Sequence, residues 1–283
     1  MKKKIFFGIL CACVGGLLIY WNVPYSPQKK TFDKEMQAYA NKMVSNSDVV
    51  SKEEIEKLPL ALQRYCEYIG IEGMPKYMAV RTYFKDTDFV FNDKSGKILN
   101  MNYDLWLFYD TWYRSAFCQS SMYGIPFEGM DYCVEKIAGG MKGFLGKGIQ
   151  IFDVCTEQGY QAGLISWFAE SLILNPSALF SEMVSYEQID DYTVKVTLID
   201  GEVEGEGIIH LNDIGEIVAF YSDDRQVEDI DGTMTRIGWR CEYEEYREQN
   251  GIKQASKVRS VKVYPNKEVV YFSADDYEVT YLK

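Results

Sequence analysis

The stretch Thr193-Val194-Lys195-Val196-Thr197-Leu198 decides the fold, because apolar side chains occupy every second position in it. Successive side chains of a strand point to opposite faces of a sheet, so this alternation places one set against a core and the other in solvent. Such a pattern is typical of an antiparallel strand that is buried on one face only. The segment therefore predicts a half-buried strand.

The same period of two recurs from Lys76 onward, from Trp239 to Glu244 and around Lys262. Turn signals separate these runs at the spacing of β-hairpins. They fall at Asp93 to Gly96, Asn212 to Gly215, Asn250-Gly251 and Pro265-Asn266. We therefore expect one large, strongly curved antiparallel sheet of about ten strands.

Helical signals frame and interrupt this sheet. Ser51 and Glu54 match the capping box that begins a helix, and Gly70 stands where a left-handed residue ends one. Five apolar residues between Gln161 and Leu174 share half of a helix, which should lie on the sheet. Asn175-Pro176 then predicts a further short helix through Phe180.

The predicted fold class is α+β, a half-barrel-like sheet with helices packed on one side and one N-terminal membrane helix. A curved sheet closed by helices resembles in architecture the half-barrels of bacterial lipoprotein-carrier proteins. This analogy concerns the fold and implies little about function.

The N-terminus combines Lys2-Lys3-Lys4 with an uncharged run from Ile5 to Trp21. At about 1.5 Å per residue the run covers roughly 26 Å, slightly less than a hydrocarbon core of about 30 Å. No small-x-small cleavage site follows before Pro24, so we expect an uncleaved anchor in residues 1–21. The basic flank should stay in the cytoplasm, which places the remaining chain outside it at the cell membrane.

We expect residues 22–50 to form a stalk with a short helix around Phe32 to Met43, and residues 51–283 to form a single globular domain. Leu10-Cys11-Ala12-Cys13 resembles a bacterial lipobox. However, the apolar run continues from Val14 to Trp21, where a lipoprotein usually turns polar. We therefore expect Cys13 to be an ordinary apolar residue of a membrane helix.

Charge argues against several kinds of partner. The chain has a net charge of −12, and the first thirty residues contain five basic residues and no acidic residue, so the remainder is more acidic still. An acidic surface repels phosphate backbones and anionic head groups. We expect no nucleic-acid partner, and contact with the membrane only through the N-terminal helix.

The five cysteines beyond the anchor are widely spaced, which excludes a CxxC metal site and a small disulfide scaffold. Cys118 with Cys133 is the best candidate for a disulfide, if the two lie on neighbouring strands. The sequence leaves open whether any pair forms among Cys66, Cys118, Cys133, Cys155 and Cys241.

Several segments together resemble the bacterial DUF6544 family from about residue 58 to the C-terminus. They are SAFCQSSMYGIPFEGMDYCVEKIAGGMKGFLGKGIQIFDV, LISWFAESLILNPSAL, YEQIDDYTVKVTLIDG and GEIVAFYSDDR, with an LPxxxxRY-like opening at Leu58-Pro59 and Arg64-Tyr65. The resemblance implies one domain and no known chemistry. It also places a helical acidic residue at Glu170 and an Asp-Arg pair at Asp224 and Arg225, while Ser166 departs from the family pattern.

Familiar chemical motifs fail in detail. The glycine-rich residues 139–148 lack the Walker spacing and are better explained as bends in a curved sheet. His210, the only histidine, lies in a strand-like run. Asp190-Asp191 and Asp223-Asp224 suit turns, and Asp229 to Asp231 lacks the spacing and closing glutamate of an EF-hand. We expect no metal and no cofactor.

The remaining candidates for ligand contact are Trp106, Trp167, Glu170 and Arg225. Glu170 falls opposite the apolar arc of its helix beside Trp167, and a partly buried ion pair of Glu170 with Arg225 is the favoured interpretation. Trp106 belongs to an aromatic-rich stretch that more often forms core than a binding surface.

Location, aromatic content and the predicted concave sheet favour a non-enzymatic extracytoplasmic module that binds an apolar or lipid-like ligand. One alternative is a hydrolase whose carboxylates only the fold brings together. A second is a structural envelope protein that binds other proteins. An apolar cavity would favour the binding module, converging carboxylates would favour the hydrolase, and a flat patch would favour the structural protein.

Overall fold

A computed structural model describes residues 2–43, 47–92, 96–134, 136–228 and 233–282. The helices are α1 Lys2–Asn22, α2 Pro27–Ala40, α3 Lys52–Ile55, α4 Leu60–Ile69 and α5 Glu157–Leu174, followed by a 3₁₀ helix, Pro176–Phe180. The strands of the first half are β1 Ala79–Asn92, β2 Lys97–Phe108, β3 Arg114–Met122, β4 Ile125–Val134, β5 Ala138–Leu145 and β6 Ile149–Thr156. Those of the second half are β7 Val184–Asp190, β8 Thr193–Asp200, β9 Val203–Leu211, β10 Ile217–Ser222, β11 Val227–Glu228, β12 Met234–Thr235, β13 Gly238–Gln249, β14 Ile252–Tyr264, β15 Lys267–Asp275 and β16 Glu278–Leu282.

Within the described residues, fourteen strands form one open antiparallel sheet, which confirms the predicted fold class with more strands than expected. Their order is β6-β5-β4-β3-β2-β1-β15-β14-β13-β10-β9-β8-β7, and β16 pairs with the first half of β1. β11 and β12 form a separate two-stranded ladder. The two halves of the chain therefore meet at β1, which pairs with β15 along its second half.

The predicted turns close the expected hairpins. Asn250 and Gly251 both have positive φ, at 56° and 84°, as a two-residue turn between β13 and β14 requires. Pro265 and Asn266 also form a two-residue connection, between β14 and β15, but neither of them has positive φ. Of the turn from Asp93 to Gly96, residues 93–95 lie outside the described residues.

The main core lies on the concave face of the sheet, called the inner face below. Alternate residues of β8, Val194, Val196 and Leu198, are fully buried there, as the alternation in the sequence predicts. The helices α4 and α5 pack in the same cluster. The capping box of Ser51 with Glu54 and the left-handed Gly70 at the end of α4 are also confirmed.

One helix lies on the opposite, outer face, contrary to the expectation of a stalk and of helices on one side only. Phe32 and Met36 of α2 have no exposed surface and pack with Trp106, Phe108 and other residues of the outer face. Trp106 alternates along β2 with Leu105 and Leu107, which face the inner core. The segment predicted as a stalk therefore contains a helix that is part of the folded unit.

Two glycines allow close backbone contacts with neighbouring elements, Gly159 between α5 and β5 and Gly140 between β5 and β6. A Cβ at Gly159, in its first turn, would lie 2.0 Å from the carbonyl oxygen of Gly139 in β5. A Cβ at Gly140 would lie 1.9 Å from the carbonyl oxygen of Val154 in β6. The glycine-rich stretch thus serves close backbone approach, in line with the structural interpretation of these residues.

The seven cysteines are free thiols. Cys118 and Cys133 do lie on neighbouring strands, β3 and β4. However, Cys118 is opposite Gly129 rather than Cys133, so the register separates the two thiols by four residues along the strand. The suggested disulfide does not form in this structure.

The helix α1 is long and apolar enough to cross a membrane, and its apolar window is fully exposed. A signal sequence has the same length and composition. Its end contacts the β5–β6 hairpin, where Lys147 Nζ donates to the carbonyl oxygens of Val23 at 2.6 Å and Tyr20 at 3.2 Å.

Candidate ligand-binding site

A cavity of about 290 Å³ lies between α5 and the inner face of the sheet. Ile173 and Leu174 line it at the C-terminal end of the helix. The helix also lines it with Gly159, Ala162, Gly163, Ser166 and Glu170, which recur at spacings of three or four and so share one face. Four of these five side chains are small. Because the close contact at Gly159 holds the helix against the sheet, the small residues that follow leave space open rather than filling it.

One part of the cavity is strongly apolar. Phe91 and Phe127 meet edge to face with ring centroids 5.7 Å apart, and Phe89, Met101 and Phe152 belong to the same cluster. These residues lie in β1, β2, β4 and β6, at the end of the sheet that carries the turns 123–124 and 146–148 and Gly96. The same edge of the sheet meets the end of α1.

The other part of the cavity contains a partly buried ion cluster around Arg114 at the start of β3. Its guanidinium binds both carboxylate oxygens of Glu170 at 2.8 Å, one oxygen of Asp131 at 3.0 Å and the hydroxyl of Tyr103 at 2.8 Å. Burial opposes the charge of Arg114, but the neighbouring carboxylates outweigh it and hold the arginine pKa well above its ordinary value. Arg114 is therefore a fully engaged, permanently charged group that fixes β2, β3, β4 and α5 together.

Arg225, in the loop after β10, is held differently. Its Nε donates to the Ser166 hydroxyl at 2.7 Å, and the guanidinium lies over the ring of Trp239, 4.5 Å from the centroid. Ser166 Oγ in turn donates to the carbonyl oxygen of Ala162 at 2.8 Å. Ser166 is the only hydrogen-bond partner that the described part of the chain gives to Arg225.

The thiols in the cavity wall are poorly suited to nucleophilic chemistry. Burial raises the pKa of Cys118 and of Cys241 to about 12, and that of Cys133 to about 11. Because these pKa values lie well above 7, the thiols are protonated at neutral pH. The thiolate is the reactive form of cysteine, so the protonated groups are weak nucleophiles. Within the described residues, no cluster of three or more His, Cys, Asp and Glu side chains is arranged to hold a metal.

The structure brings two of the four predicted contact residues to the cavity, Glu170 and Arg225. It does not bring Trp106 or Trp167 there. Trp106 packs on the outer face, and Trp167 is fully buried, with its Nε1 donating to the carbonyl oxygen of Phe108 at 3.2 Å.

The predicted ion pair of Glu170 with Arg225 is wrong. Glu170 pairs with Arg114, whereas Arg225 binds Ser166. Sequence reasoning missed Arg114 and Asp131, because the approach of β3 and β4 to α5 depends on sheet register and has no signal in local spacing. Ser166, noted as a departure from the family pattern, proves to be the residue that holds Arg225.

The remaining chemical candidates lie in ordinary structural settings. His210 is on an exposed position of β9 opposite Thr193. Asp190 accepts from the backbone amide of Tyr192 at a turn, and Asp223 accepts from the hydroxyl of Tyr221. The suggested calcium loop falls on residues 229–231, which lie outside the described residues.

An open antiparallel sheet with a helix across its concave face and a cavity beneath that helix defines this protein as an α+β half-barrel with an internal cavity. The chain belongs to the DUF6544 family, a family of unknown function whose model matches residues 48–274.

Among solved structures, a LolA superfamily protein from Nitrosomonas europaea is similar in fold. The two share 10% identity with a TM-score of 0.34, over 82% of this chain and 94% of the other. A likeness at this level transfers neither ligand nor location to this chain. No curated protein matches this sequence.

Proposed function

We propose that this protein is a membrane-anchored extracytoplasmic module that binds an apolar or lipid-like ligand in the inner-face cavity and performs no chemistry on it. The observation that best supports this proposal is the cavity, in which aromatic and aliphatic side chains surround a space left by the small side chains of α5. Concave, mostly apolar spaces with a few convergent polar groups are the usual form of small-molecule sites.

The location part of the proposal rests on α1. A basic flank precedes its fully exposed apolar surface, and this arrangement suits a helix that spans the bilayer with its N-terminus in the cytoplasm. The end of α1 contacts the sheet edge beside the aromatic part of the cavity. An apolar ligand in the membrane would therefore be close to the binding space.

The predicted contact residues take different roles in this proposal. Arg225 faces the ligand directly, and Glu170 shapes the wall by holding Arg114 in place. Trp106 and Trp167 support the site only through packing on the two faces of the sheet.

The hydrolase alternative has less support. Both carboxylates of the cavity bind the same guanidinium, Glu170 through both oxygens and Asp131 through Oδ2, and this pairing disfavours their use as general bases. The buried thiols are protonated at neutral pH because their pKa values are raised. A purely structural protein needs no internal cavity. The cavity therefore supports this alternative less than it supports the binding module.

The test compares the full chain, purified in a non-ionic detergent, with Gly163→Leu and Gly163→Ala. A Cβ at Gly163 would meet only Cys133 Sγ, at 3.8 Å, so leucine extends into the cavity while alanine barely enters it. We expect native mass spectrometry to find a co-purifying lipid-like molecule on the natural chain and on Gly163→Ala, but not on Gly163→Leu. Equal retention in a folded Gly163→Leu protein, or no bound molecule on any of the three, would overturn the proposal.

A further inference from the structure

The cavity lining has more basic than acidic residues, whereas the protein as a whole has a net negative charge. Among the described lining residues four are basic, Arg114, Lys142, Arg225 and Lys262, and two are acidic, Asp131 and Glu170. The whole chain carries a net charge of −12. A basic interior in an acidic protein favours an anionic group inside it over anions at the outer surface.

Arg114 cannot serve such a group. Its guanidinium already donates to Glu170, Asp131 and Tyr103, and it has only 12% of its side chain exposed. It is neutralised by its own partners and oriented toward them. Any recognition of an anion must therefore come from another basic side chain.

Arg225, unlike Arg114, has guanidinium nitrogens without a hydrogen-bond acceptor among the described residues. Ser166 occupies its Nε, and no described residue accepts from its two terminal nitrogens. The ring of Trp239 supports one face of the guanidinium. Ser166 and Trp239 thus fix the plane of a fork of N–H groups at the cavity wall, and such a fork suits a carboxylate or a phosphate.

We propose that the ligand is a single-chain amphiphile whose anionic head, a carboxylate or a phosphate, binds Arg225 while its apolar chain occupies the aromatic part of the cavity. This inference rests on the proposed function and adds the chemistry of the head group. The volume of about 290 Å³ is at the lower end of the usual range for ligand sites, which favours one chain over two.

The experiment measures ligand-induced shifts in melting temperature for the full chain in one non-ionic detergent. The probes are dodecanoate, dodecyl phosphate and dodecanol, which share one chain length and differ in the head. Ligands that bind only the folded state raise the melting temperature according to their affinity. The same melting-temperature shifts are measured for Gly163→Leu, in which the leucine side chain fills part of the cavity.

We expect both anions to bind the natural chain at least about tenfold more tightly than dodecanol, since hydrogen bonds to charged groups are the stronger kind. Arg225→Met should reduce this preference to about onefold, and Arg225→Lys should retain part of it. Arg236→Met is the matched control, because Arg236 is 70% exposed and pairs with Asp224 outside the cavity lining.

The outcomes separate the two proposals. Shifts of equal size for all three probes, abolished by Gly163→Leu, would leave the apolar site standing and overturn the anionic head. An anion preference that persists in Arg225→Met would remove Arg225 as the contact. Shifts that Gly163→Leu does not reduce, or no shift with any probe, would overturn the proposed function and this inference with it.

Discussion

The two faces of the sheet each carry a helix and a partly buried ion cluster, and the cavity described above lies on the inner face. On the outer face, α2 places Phe32 and Met36 directly against Trp106 and Phe108. On the inner face, the part of α5 beside the cavity carries glycine, alanine and serine, while Leu164, Ile165 and Phe168 of the same helix fill the neighbouring core. The difference lies in the side chains that the helix presents, since large ones fill the interface and small ones leave space.

The ion clusters differ in the same way. On the outer face Asp104 accepts from Arg81 at 2.8 and 2.9 Å and pairs with Lys29 at 2.8 Å, which ties α2 to β1 and β2. On the inner face Arg114 is equally engaged, but Arg225 beside it keeps donors free among the described residues. Paired clusters on both faces stabilise the fold, whereas the terminal nitrogens of Arg225 have no hydrogen-bond partner among the described residues.

The largest expected effect comes from breaking the inner cluster. Arg114→Met leaves Glu170 and Asp131 without their common partner and should lower the free energy of unfolding by about 3–5 kcal/mol. Glu170→Gln should cost about 2–3 kcal/mol, because Asp131 remains on the arginine. The double variant should cost less than the sum, as chemical denaturation followed by tryptophan fluorescence would show.

The combination of Glu170→Gln with Arg225→Met is the control, since those two side chains do not pair. The losses in the free energy of unfolding from these two substitutions should be much closer to additive. Strong coupling between Glu170 and Arg225, with additivity between Glu170 and Arg114, would restore the ion pair suggested by the sequence.

A smaller effect is expected on the outer face and depends on pH. Burial alone would raise the pKa of Asp104, but hydrogen bonds from Arg81 and Lys29 outweigh it and hold that pKa below the ordinary value of 3.8. The unfolded chain therefore takes up this proton first as pH falls. The stability that Asp104 contributes is complete at neutral pH and is lost as the pH falls below about 3.8 toward the folded pKa.

We expect Asp104→Asn to cost about 1–3 kcal/mol at pH 7 and less at pH 3. Unfolding curves at a series of pH values should show the natural chain losing stability more steeply in acid than the variant. Parallel pH profiles for the two proteins would show that the contacts of Asp104 with Arg81 and Lys29 contribute no stability.

The sequence predicts much of the framework, because strands and hairpins leave local signals. The alternation at Val194 to Leu198, the turn at Asn250-Gly251 and the helix that begins a few residues before Gln161 all appear in the structure. For α2 the apolar pair Phe32 and Met36 was present at helical spacing, but within a mostly polar segment that suggested a stalk.

The site was harder to predict, because its residues come from distant parts of the chain. Glu170 and Arg225 stand out individually. The partner of Glu170 follows only from the register that places β3 beneath α5, and the partner of Arg225 is a serine with an unremarkable local pattern. Cavity volume likewise depends on how closely α5 approaches β5, which is set by the backbone contact at Gly159.

The smallest expected effect tests whether the inner face has space to spare. Gly163→Ala should stabilise the protein by roughly 0.5–1 kcal/mol, because alanine favours a helix interior and the added Cβ meets only Cys133 Sγ at 3.8 Å. Gly159→Ala, one turn earlier in α5, should instead destabilise it, since its Cβ would lie 2.0 Å from the carbonyl oxygen of Gly139. Both free energies of unfolding can be measured by denaturant titration under the same conditions. The two alanines make the same change in helix propensity, so the difference between them reports packing alone. If Gly163→Ala were as destabilising as Gly159→Ala, α5 would be as tightly packed at its middle as at its start, and the space assigned to a ligand would not exist.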